Sequence, residues 1–268
     1  MGIHDLGYRV FKGQIGGRLD RIWAIFIQDF TFRFKQPATI ALIVLNYVIA
    51  LMPMIVLTYF VRIIDFSFYY SWSFIWIVIY TAVIGSPIIS NDMKNNAVIL
   101  YFSRPLTKED YFIGKFLTLF VLISFVTFVP ALIYSTIILG TATESMKETI
   151  NITQVVITLN VVGLLIAMVF SAITILISSM TKRYLYAGVG IFTVLFFSDI
   201  MGIILREIIS KNMGLISIWD NLYIIADDWG GFNAWTDFSW SVSLAIIFAI
   251  TLLSLAGAWR IIRRIEVI

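Results

Sequence analysis

Cysteine is absent from the 268 residues and histidine occurs once, at His4. No disulfide, thiolate metal centre, cysteine nucleophile or multi-histidine site can be assembled from such a chain. Charge is scarce too. Asp, Glu, Lys and Arg fill 13% of positions, where a soluble domain carries about 25%, while 60% are hydrophobic and the mean hydropathy is +0.94. This is the composition of a membrane protein, and it leaves little sequence for a folded nucleotide-binding or catalytic domain. The first 18 residues mix Arg9, Lys12 and Arg18 with glycines and hold no continuous apolar core, so no secretory signal is expected there.

What is present is long apolar sequence. Stretches of crossing length run over 38–61, 71–89, 116–139, 154–180, 184–205 and 241–259. They lack the period-2 alternation of barrel strands and are too long for them, so six helices are predicted. The expected fold is all-α: a polytopic membrane protein with six transmembrane helices, an N-terminal interfacial amphipathic helix and a short cytoplasmic coupling helix. Its organisation is a cytoplasmic N-terminal segment (1–37), a six-span domain (38–259) and a basic tail (260–268). Of the 19 Lys and Arg residues, 15 fall in the N-terminal segment, the second and fourth loops and the tail. The other four are Arg62, Lys147, Arg206 and Lys211, so both termini are expected in the cytoplasm, with the chain in the cell membrane.

Between Arg18 and Gln36, apolar residues recur at Leu19, Ile22, Trp23, Phe26, Phe30 and Phe34, and Pro37 ends the pattern. That spacing predicts an amphipathic helix lying in the cytoplasmic interface, with cations around its aromatic face. The outer loop 206–240 mixes Asp220, Asp227, Asp228 and Asp237 with Trp219, Tyr223, Trp229, Trp235 and Trp240. It is expected on the outer membrane face, its aromatic rings at headgroup level or capping the pathway, with a short helix over 219–226. Asp199, in the outer half of the fifth span, must face protein or water, as a pathway group or a structural carboxylate. Asn46 is a second candidate pathway or structural polar group, and both it and Asn160 are expected to hydrogen-bond neighbouring helices. Pro53 and Pro130 are candidate kinks, and Gly163, Ala167 and Ser171 form a small-residue face suited to close packing.

The richest polar segment is the second loop, 90–115. Ser90 or Asn91 is a candidate cap for a short helix, Ala97 to Phe102 its apolar side, and Ser103, Arg104 and Pro105 its end. Thr107 and Asp110 have the spacing of a capping box that opens the third span. This loop resembles the first cytoplasmic loop of ATP-binding-cassette type-2 permeases. That pattern runs from an acidic residue through Gly-Thr-Leu and a few apolar residues to Arg-Pro-Leu-Ser-Arg and a Gly-Lys pair. Asp92, Arg104, Pro105, Leu106, Gly114 and Lys115 match it; Asn95, Asn96 and Ala97 replace the small-residue stretch, and Lys108 the second arginine.

The resemblance implies a non-enzymatic permease subunit that pairs with a second permease, identical or similar, above separate ATPase subunits. ATP and Mg would sit on those partners, with no cofactor or metal in this chain and no nucleic-acid partner. The loop would be the coupling helix, with Val98, Leu100, Tyr101 and Phe102 as apolar knobs, Asp92, Lys94 and Arg104 as the polar rim, and Pro105 closing the turn. Export of amphipathic or apolar cargo is the expected direction and class. A phosphate loop is not expected, because Gly114 and Lys115 lack the upstream glycine and precede Phe116. A non-catalytic membrane scaffold is the alternative. An intramembrane hydrolase fits less well, since His4 lies outside the spans and Asp199 has no aspartate in another span.

Overall fold

The computed structural model describes residues 17–61, 66–97, 106–141, 151–231 and 238–264. Every regular element among them is helical, and six helical units are long and apolar enough to cross a membrane: Pro37–Phe60, Tyr69–Lys94, Lys108–Thr141, Ile152–Met180, Tyr184–Ile208 and Trp240–Arg263. The all-α, six-span polytopic fold is thus observed. The units extend beyond the apolar runs mainly where charged residues continue a helix, at 90–94 and 108–115.

The first helix, α1, covers Arg18–Phe34. Span 1 comprises α2 (Pro37–Asn46), a π-helical turn (Tyr47–Leu51) and α3 (Met52–Val61). Pro53 has no N–H to offer the Ile49 carbonyl four residues back, and the Trp72 indole N–H of span 2 donates to that carbonyl instead, at 2.8 Å. Span 2 joins α4 (Phe66–Gly85) to α5 (Pro87–Lys94). Span 3 joins α6 (Lys108–Ser124) to α7 (Phe128–Thr141) across a break at 125–127, just ahead of Pro130. Tyr47 and Tyr80 donate their hydroxyls to the Phe125 and Leu122 carbonyls at that break, at 2.9 and 3.0 Å. The carbonyl that Pro53 leaves without its N–H is therefore met by a neighbouring span, and two carbonyls next to the break in span 3 also receive hydroxyls from neighbouring spans.

Span 4 is α8 (Ile152–Met180), the axis of the bundle: 72% of its apolar window is buried, against 17% for span 5, α9 (Tyr184–Ile208). Gly163, Ala167 and Ser171 are all buried on it. A Cβ at Gly163 would lie 3.1 Å from both the Thr127 carbonyl and Phe128 Cα, so this small face serves close packing against the break in span 3. After α9 a 3₁₀ turn (Lys211–Ile216) leads to α10 (Ile218–Gly230), and α11 (Trp240–Arg263) is span 6.

Three local expectations are corrected. Ser90 and Asn91 do not cap a new helix. The helix of span 2 runs through them to Lys94, with the Ser90 hydroxyl turned back onto the Ser86 carbonyl, and ends at Asn95 and Asn96, the latter at φ 54°. Trp219 does not rest at the headgroup level: it is fully buried, edge-on to Phe74 and Phe170, because α10 packs into the bundle against α8 and α11. Asn46 is 1% exposed, yet its amide nitrogen has no hydrogen-bond partner among the described residues. Asn160 behaves as expected and donates to Ser135 of span 3 at 3.2 Å.

Candidate functional site

The two ends of the bundle carry different polar machinery. At the end holding α1, the capping box forms: the Asp110 N–H donates to Thr107 Oγ1 at 3.1 Å, and the Thr107 N–H to Asp110 Oδ2 at 3.4 Å. Asp110 is fully buried and also takes Arg18 Nε at 3.2 Å and Arg21 Nε at 3.0 Å, while Arg18 reaches Glu109 at 2.5 Å. The acidic first turn of α6 thus anchors α1 by its arginines. One turn on, Gly114 faces Ile25 of α1. A Cβ there would lie 2.8 Å from Ile25 Cγ2 and 3.4 Å from the Ile22 carbonyl, so the two helices meet at backbone distance.

Lys115 follows, 1% exposed, and its ammonium lies 2.5 Å from Asp29 Oδ2 and 2.6 Å from Asp92 Oδ2. The Tyr111 hydroxyl donates to Asp92 Oδ2 at 2.9 Å, and its ring lies under the ammonium, 5.3 Å from it. A buried lysine needs such partners to stay charged. Asp29, Asp92 and Lys115 therefore join α1, α5 and α6 through a single ammonium.

The bend between α4 and α5 at Pro87 is held from two sides. Buried Arg33 of α1 donates to the Ile84 and Pro87 carbonyls at 3.4 and 3.2 Å. Ser178 Oγ of α8 accepts from the Ile89 and Ser90 N–H groups, both at 3.1 Å, and donates to the Ser86 carbonyl at 2.9 Å. Helix α1 consequently packs on protein: Ile22, Ile25 and Arg33 are buried, while Leu19 and Trp23 remain exposed at 80% and 58%.

Of the eight candidate coupling residues, Asp92 and Lys94 are described. Asp92 faces Lys115 with 15% of its side chain exposed, and Lys94 is an exposed residue set 5.8 Å from the Tyr184 ring. Val98, Leu100, Tyr101, Phe102, Arg104 and Pro105 lie outside the described residues. Further along the chain, Lys108 donates to the Arg263 carbonyl at 2.9 Å, tying the start of span 3 to the end of span 6.

At the opposite end, Asp199 lines a cavity of about 350 Å³ with Arg206, Asp220, Tyr223 and Asp227. Arg206 lies 3.5 Å from Asp220 and 3.7 Å from the exposed Glu207. Burial lifts the Asp220 carboxyl to about 6; Arg206 opposes the rise and Asp199 adds to it. Gly202 gives the carboxylate room, since a Cβ there would lie 2.7 Å from Asp220 Oδ2. Asn46 shares neither polar cluster; it is buried where span 1 enters its π-helical turn.

Asp29, Arg33 and Ser178 were not among the candidate site residues, and Asp110 was expected only as a helix cap, not as the partner of two arginines. Asp29 and Arg33 stand as charges inside a run of aromatic residues, which is the one local sign that α1 packs on protein. Residues 64–222 match the family model described as ABC-2 family transporter protein. No curated protein matches the chain.

Proposed function

The chain belongs to the ABC-2 transporter family and is a permease subunit of an ABC transporter; from that premise we propose that it exports its cargo, driven by ATP hydrolysed with Mg on a separate ATPase subunit. Two permease subunits pair in the cell membrane, both termini face the cytoplasm, and the ATPase docks on the loop that includes 98–105. The distribution of Lys and Arg supports this orientation.

The observation that carries the coupling role is the way both flanks of that loop are held. On one side α5 is fixed by Asp92 to Lys115; on the other α6 begins in a capping box whose Asp110 also binds two arginines of α1. A push on the segment between them is delivered to two helices that are both tied to α1 and to each other. It displaces α1, the bend at Pro87 and the first turns of span 3 as one body, and the bend passes the displacement through Ser178 to the central span. Charge-assisted contacts of this kind are shorter and roughly twice as strong as neutral hydrogen bonds, which suits an element that must move without deforming.

Two experiments test the reading. Tagged chain purified from its native host in mild detergent should co-elute with a soluble ABC ATPase whose hydrolysis responds to the permease. A scaffold protein would bring down no such ATPase. Reporter fusions after Lys147 and after Gly231 should both appear outside, and either one inside overturns the orientation.

A further inference from the structure

The cavity at the far end from α1 carries a charge imbalance that the coupling role does not use. Among the described residues, its lining includes the carboxylates of Asp199, Asp220 and Asp227 and one cation, Arg206, itself drawn toward Asp220 and Glu207. Asp220 is 1% exposed, and its Oδ2 has no hydrogen-bond partner among the described residues. An acceptor buried without a donor is costly, more so for a carboxylate than for a neutral group, and a ligand's N–H or cationic charge removes that cost. No three acidic, His or Cys side chains among the described residues converge as ligands of a metal ion. Phe74, Ile203 and Tyr223 supply the apolar wall, and an aromatic face attracts an ammonium group. The volume of about 350 Å³ is at the small end for ligand pockets and suits an ammonium headgroup with a short apolar stem.

We propose that this cavity, where Asp199, Asp220 and Asp227 meet Phe74 and Tyr223, binds an organic ammonium group, carried either by a free amine or by an amine lipid headgroup. Asp220 and Asp199 receive the cation, and Arg206 competes with it as an internal counter-ion. The proposal concerns binding alone and stands whether or not an ATPase docks at the other end.

The test is calorimetric titration of benzylammonium into the purified full chain in neutral maltoside at pH 8, above the raised value of about 6 for Asp220. Saturable binding is expected, weakened about tenfold by Asp220→Asn and by Asp199→Asn and strengthened several-fold by Arg206→Gln, with the neutral benzyl alcohol binding at least tenfold more weakly. Asp199→Asn and Arg206→Gln keep the test intact if Asp220→Asn fails to fold. Competition by phosphatidylethanolamine but not phosphatidylglycerol identifies a lipid source; no competition by either identifies a free amine, and both support the site. Absence of saturable binding, an affinity unchanged in the aspartate variants, or equal binding of benzyl alcohol overturns it.

Discussion

Replacing Lys115 by Met tests whether the ammonium shared by Asp29 and Asp92 locks α1 in place. Methionine is similarly long and unbranched, and its sulfur can remain against the Tyr111 ring, so packing changes little. The charge balance changes a great deal. Two carboxylates with side chains only 13% and 15% exposed lose their common cation, and Asp92 keeps only the Tyr111 hydroxyl. Removing one partner of a buried ion pair costs ~3–5 kcal/mol. Because both acids retain some access to water, the lower part of that range applies, about 3 kcal/mol, or roughly a hundredfold in the opening equilibrium of α1. Hydrogen exchange of backbone amides over 22–30, in lipid nanodiscs, reads that equilibrium directly. Protection there should fall by about a hundredfold in Lys115→Met and by less than tenfold in Asp29→Asn, where Lys115 still pairs with Asp92. Unchanged protection in a folded Lys115→Met protein, or a larger loss in Asp29→Asn, would refute the reasoning.

Two further perturbations address separate contacts. Gly114→Val pushes branched carbon into Ile25 and the α1 backbone, an overpacking worth ~1–3 kcal/mol, and should lower the melting temperature and expose α1 to trypsin. A variant as stable and as protected as the parent would mean that the helices are not in backbone contact. Asp220 carries a carboxyl raised from 3.8 to about 6, so its contribution to stability is full below about pH 3.8 and is lost as pH rises through 6. Asp220→Asn, which stays neutral, should therefore melt at a temperature that varies less between pH 4 and 7 than the parent's; equal pH dependence in both proteins would show that the group titrates normally.

The spans were legible in the sequence because a bilayer leaves one solution for an apolar run of about 20 residues. The capping box at Thr107 and Asp110 was legible for a similar reason: it is a local device with fixed spacing. The charged clamp was not. Asp29, Asp92 and Lys115 come from three helices, and nothing in the period of any one helix says which acid meets which base. The amphipathic pattern of α1 located its apolar face but could not distinguish a bilayer surface from span 3, and Leu19 and Trp23 face outward while Ile25 is buried. Trp219 misled for a related reason, since an indole among carboxylates looks the same at a headgroup layer and between Phe74 and Phe170. Ser90 has the chemistry of a cap, but with Ser178 of another helix receiving its N–H, it sits inside a continuing helix. At the other end, Asp199 was recognised as a group needing protein or water around it, whereas its companions Asp220 and Asp227 arrive through the fold of α10.

Coupling through the loop between α5 and α6 is most directly measured in the purified permease and ATPase assembly with Tyr101→Ala and Phe102→Ala together. Each large apolar side chain contributes roughly 1.5–3 kcal/mol when buried, so losing both weakens docking by several powers of ten. The account predicts that the doubly truncated permease still inserts and folds but releases the ATPase or leaves its hydrolysis uncoupled from transport. ATPase binding and transport-coupled hydrolysis both unchanged would contradict it and leave that segment a plain connector.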